Sequence, residues 1–107
     1  MHRTLLTLVI ISLLSLTVPL AYGEEREADL ARQLINSQGC RACHALEGNG
    51  GVIANSFEKM RKDLSRQEIR QQLVNPSQKH GRGTIPDFSH LSEPEIDSLV
   101  NFIKPES

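Results

Sequence analysis

Two thiols and an imidazole stand within five residues, Cys40-Arg41-Ala42-Cys43-His44. Such groups can form thioethers, ligate a soft metal or cycle as a disulfide. The run Cys-x-x-Cys-His is the signature of covalent haem attachment. Each cysteine can add to one haem vinyl group, and the adjacent histidine can give a nitrogen to the iron. The spacing must be short, because both sulfurs and the imidazole have to meet one face of one porphyrin. Iron held this way is a redox centre whose potential follows its other ligand, its burial and its hydrogen bonds. A zinc site would need these three groups and a further histidine, but His80 and His90 are ten residues apart, not a short-spaced ligand pair. A thioredoxin-like pair would need a preceding strand and a βαβ context, and the pattern offers neither. The residues therefore favour one covalently bound haem c, with Cys40 and Cys43 as its anchors and His44 as iron ligand.

Three main helices and no strand can be read around this motif. The first covers about residues 25–38, with Leu30, Ala31, Leu34 and Ile35 as its apolar stripe. Acidic residues 24, 25, 27 and 29 crowd its start, where carboxylates suit the helix dipole. Gly39 is placed to stop it. The second opens on a capping box, Ser65 with Glu68, and closes at Asn75-Pro76. The third opens on another, Ser92 with Glu95, and carries Ile96, Leu99, Val100 and Ile103 at helical spacing before Pro105. Leu91 and Ile96 can form a hydrophobic staple across its start. Residues 57–64 read as a further helical turn. Residues 48–51 read as a flexible loop, and residues 81–86 as a second loop.

The N-terminal region reads as an export signal. Arg3 precedes an apolar run over residues 5–16, and Ala21-Tyr22-Gly23 offers small residues for cleavage after Gly23. Residues 1–23 are thus expected to be a secretory signal peptide, and residues 24–107 one mature domain of 84 residues. The competing reading is an uncleaved anchor, which would be the one route to membrane association. Pro19 and the acidic Glu24-Glu25 favour cleavage. A periplasmic or otherwise exported protein is expected, in keeping with an oxidising compartment. The mature part keeps all 13 acidic and 11 of the 12 basic residues, a side-chain charge of −2. That balance excludes nucleic acid as a partner. With no Trp and three Phe, so small a chain needs a staple for its core. A covalently held haem would be that staple. Lys59, Arg61, Lys62, Arg66 and Arg70 make a basic middle segment between acid-rich ends, a charge separation that can orient a redox partner.

The order of these features resembles the small class I bacterial cytochromes c over nearly the whole mature chain. The resemblance rests on an N-terminal helix, the 40–44 motif, a Gly-rich loop, a middle helix ending in Asn-Pro, the stretch Gly83-Thr84-Ile85-Pro86-Asp87-Phe88, and a C-terminal helix. It implies an all-α cytochrome c-like fold packed around one haem. It also implies that the outer helices bring Leu34 and Ile35 toward Leu99, Phe102 and Ile103. The implied function is transfer of single electrons between redox proteins by a monomeric carrier, not an enzyme.

The chain departs from that family at the sixth iron ligand. The family places methionine where this chain has Ile85, which has no donor atom. His80, five positions earlier between Lys79 and Gly81, is the leading replacement. Met60 and His90 are weaker candidates, Lys79 weaker still, and Met60 has an alternative role as a core gap-filler. An imidazole there would stabilise ferric iron and lower the potential. An open sixth site would instead make a small-ligand-binding haem protein, a sensor or weak peroxidase. No distal acid–base pair is visible for peroxide chemistry. The family also tends to have a proline whose carbonyl orients the proximal imidazole. Here the region reads Ile53-Ala54-Asn55-Ser56, where a backbone carbonyl near Asn55 can take that role without proline.

Overall fold

In the computed structural model, which describes residues 21–75 and 88–106, the first helix, α1, spans Ala21–Ser37. It starts four residues ahead of the expected boundary, so the expected cleavage point after Gly23 falls within its first turn. Ala31, Leu34 and Ile35 form its buried stripe. Gly39 ends it in the left-handed conformation, φ 74°, which an L side chain adopts only at a cost.

Three more helices follow. Helix α2 spans Phe57–Asp63, α3 spans Arg66–Val74 and α4 spans Glu93–Ile103. The described residues therefore hold four helices where three main ones were expected, because residues 57–63 make a full helix. Its cap is Ser56, whose hydroxyl accepts the Lys59 N–H at 3.1 Å. Both expected capping boxes are present. Ser65 and Glu68 satisfy each other's backbone N–H groups at the start of α3, and Ser92 and Glu95 do so for α4. Among the described residues there is no strand, only an isolated bridge between Leu46 and Asn49.

Helices α1 and α4 make the most extensive helix–helix contact. Leu34 and Ile35 share one core with Leu99 and Ile103, as the resemblance implied, and Phe102 packs against its edge. The Arg32 guanidinium lies 5.0 Å from the centre of the Phe102 ring, within cation–π range. Each such buried aliphatic side chain contributes about 1.5–3 kcal/mol by leaving water.

Three arginines of the basic middle segment tie its helices to α4. Arg61 donates to the Ile103 and Phe102 carbonyls at 2.7 and 3.2 Å, and Arg66 donates to the Lys104 carbonyl at 2.5 Å. These carbonyls belong to the last turn of α4, where helical partners run out and negative potential collects. Arg66 also bonds the Asn101 side-chain oxygen, and Asn101 donates to Glu27 on α1 at 2.6 Å. Lys104 returns the connection by donating to the Leu64 carbonyl at 2.6 Å. Arg70 pairs with Glu93 and Asp97 at the other end of α4.

Candidate haem-attachment site

Out of Gly39 the chain winds into one 3-10 turn, Cys40–Ala42. The Cys43 and His44 N–H groups both donate to the Cys40 carbonyl, at 3.3 and 3.1 Å. This winding sets the two sulfurs and the imidazole at the end of α1, beside its packing against α4. Both thiols are free. Cys40 is half-buried against the core and Cys43 is exposed. Burial pushes the Cys40 thiol up from its ordinary range, the opposite of what activates a redox thiol. Among the described residues no three His, Cys, Asp or Glu side chains are arranged to hold a metal ion.

The His44 ring is held from behind. Its Nδ1 lies 2.5 Å from the Asn55 carbonyl oxygen. A carbonyl only accepts, so Nδ1 carries a proton, and the neutral ring keeps its lone pair on Nε2. The Phe57 ring packs beside the imidazole, centroids 5.6 Å apart. This arrangement fits a haem: two uncommitted thiols on one turn, and a histidine nitrogen aimed away from its own hydrogen bond. Arg41 Nε is buried beside them with no hydrogen-bond partner among the described residues, and nothing in the structure explains it.

The segment between His44 and α2 is pinned, not the flexible loop the glycines suggested. Leu46 and Asn49 exchange backbone hydrogen bonds at 2.8 and 2.9 Å. Gly51 N–H donates to the Arg41 carbonyl at 2.8 Å, Ala54 N–H to the Cys43 carbonyl at 3.1 Å, and Phe57 N–H to the Ala45 carbonyl at 3.0 Å. The glycines serve close approach. A Cβ at Gly51 would lie 2.2 Å from the Ala42 carbonyl oxygen, and one at Gly50 2.8 Å from that of His44. Val52 and Ile53 stand out from this pinned strip, 92% and 83% exposed.

Three charged residues that the sequence did not single out secure the strip. Glu47 adopts φ 51°, a left-handed conformation that costs a non-glycine residue about 1–2 kcal/mol. Its carboxylate takes both Arg32 nitrogens, at 2.5 and 3.3 Å. Its N–H donates to the Glu58 carboxylate at 2.8 Å. The Arg32 bond holds the Glu47 carboxyl below its usual range, and the Glu47 N–H does the same for Glu58. An acidic residue inside a Gly-rich turn was the available signal, but no local rule pairs Glu47 with Arg32, fifteen residues away.

Two of the sixth-ligand candidates, Met60 and His90, lie among the described residues. Met60 is buried in the core on α2, 8% exposed. His90 Nε2 lies 3.1 Å from the Gln38 side-chain oxygen, and its ring is 6.4 Å from that of Phe88. His80, Lys79 and Ile85 lie outside the described residues, as do the 81–86 loop and the apolar run of residues 5–16.

Residues 26–103 match the family model described as cytochrome c oxidase, cbb3-type, subunit III. The match spans α1 to α4 and includes Cys40, Cys43 and His44. No curated protein and no solved structure matches the chain.

Proposed function

Because this chain belongs to the family described as cytochrome c oxidase, cbb3-type, subunit III, and so is a small c-type cytochrome, we propose that it is an exported, monomeric carrier of one haem that passes single electrons between redox proteins. The observation that carries this reading is the His44 Nδ1–Asn55 hydrogen bond beside two free thiols on one turn. Cys40 and Cys43 hold the haem, and His44 binds iron through Nε2. Asn55 fixes the ring's tautomer and direction and makes it a stronger donor. When bound, the haem supplies a one-electron couple. Cys43 is on the surface, where a redox partner could approach a haem held through it. Export rests on the apolar run at residues 5–16 and Ala21-Tyr22-Gly23. No helix among the described residues is long and apolar enough to cross a membrane.

His80 is our proposal for the sixth ligand. Met60 is buried among the core residues, which fits a core gap-filler. His90 is bonded to Gln38. The test is a carbon monoxide titration of the ferrous protein with the ferric spectrum alongside. The wild type should be low-spin and refuse carbon monoxide. His80→Ala should be high-spin and bind it, while His90→Ala should behave as wild type. A high-spin wild type that takes up carbon monoxide would overturn the His80 assignment and the carrier reading with it.

A further inference from the structure

His44 Nδ1 donates its hydrogen bond to a backbone carbonyl, and a backbone carbonyl is only as well placed as the chain that carries it. Asn55 precedes Ser56, the cap of α2, so the start of α2 decides where that carbonyl points. Two contacts fasten this start to the residues just after His44. One is Phe57 N–H on the Ala45 carbonyl. The other is the Glu58 carboxylate on the Glu47 N–H at 2.8 Å. Glu47 is in turn held to α1 by the two-pronged Arg32 contact, and it keeps a left-handed backbone that glycine would hold more easily. A charged residue kept at such a position points to a use for its side chain.

We infer that Arg32, Glu47 and Glu58 form a latch that sets the redox potential by positioning the Asn55 carbonyl on His44. The inference rests on the haem being held by Cys40, Cys43 and His44 as proposed. The three are positioning residues, since none touches the imidazole. A firm hydrogen bond at Nδ1 makes the imidazole a stronger donor, which favours ferric iron and lowers the potential. Loosening the latch weakens that bond and raises the potential. The latch belongs to this chain's Gly-rich turn: Glu47 is the one carboxylate between Gly39 and Phe57, and Arg32 meets it on the exposed flank of α1.

The test uses the haem-loaded protein and reads two quantities, the midpoint potential and the solvent exchange of the His44 ring N–H in the ferrous form. Glu58→Ala should raise the potential and speed exchange roughly tenfold, as loss of one ordinary hydrogen bond implies. Glu58→Gln keeps a carbonyl acceptor and should stay near wild type in both. Glu47→Gly suits the left-handed backbone, so it should fold even if Glu58→Ala does not. It removes the Arg32 contact and should also raise the potential. Arg66→Ala, which weakens the distant end of α4, reports destabilisation alone and should leave both readings in place. Folded, loaded Glu58→Ala or Glu47→Gly with unchanged potential and exchange would overturn the latch, as would an equal shift in Arg66→Ala. Wild-type protein without covalent haem would instead remove the functional reading itself.

Discussion

At the scale of single residues, the site depends on backbone approach as much as on its thiols and imidazole. Gly51 lies so near the attachment turn that the carbonyl of Ala42 occupies the place of a Cβ. Gly51→Ala must therefore push the strip away from residues 41–43 and break the Gly51–Arg41 hydrogen bond. We expect a loss of about 1–3 kcal/mol in stability, the usual scale for overpacking, read as a lower denaturant midpoint. Gly48→Ala, with open space around its position, would strain only its own backbone and should cost less. Equal midpoints for Gly51→Ala and wild type would show that the strip is not packed this way. The need for haem-motif residues 40, 43 and 44 was legible in the sequence because their chemistry is carried by neighbours in the chain. The Asn55 carbonyl was legible only through the family's pattern. Glu47 and Glu58 were not, because a turn's hydrogen bonds to a helix eleven residues on leave no local mark.

At the scale of helices, legibility followed the range of the interaction. The capping boxes of α3 and α4 were readable, since each is settled within three residues. Gly39 was readable for the same reason. Helix α2 was underestimated because its cap lacks the usual partner: Ser56 has Lys59, not a carboxylate or amide, three residues on. The roles of Arg61 and Arg66 could not be assigned from the sequence, because their acceptors lie 35 to 42 residues away. Their placement makes the end of α4 a test of the account. Arg66 reaches the Lys104 carbonyl and the Asn101 side chain together. With about a third of its side chain exposed, solvent screens the ionic part. Arg66→Ala should still cost roughly 1–2 kcal/mol through the lost charge-assisted hydrogen bonds. Arg66→Lys should recover only part of it, because one ammonium cannot span two acceptors as a guanidinium does. A denaturant titration that finds Arg66→Ala as stable as wild type would show that these contacts are incidental.

At the scale of the whole molecule, the four helices of the described residues and a core of aliphatic side chains with few aromatics make a small domain with little stability of its own. Among the described residues its interior is organised around α1 and α4, and the attachment turn emerges at the end of that pair. A haem joined to this turn would add apolar surface beside that core. Cys40 and Cys43 would carry that haem covalently, with His44 as an iron ligand. The most direct measurement is the mass of the intact protein, secreted by a host that matures c-type cytochromes, after acid-acetone extraction. The account predicts the mature chain plus one haem with its absorption band retained, and no such addition in the Cys40→Ala, Cys43→Ala double variant. A wild-type mass equal to the bare chain, with all colour lost to the extract or with zinc bound in its place, would contradict it.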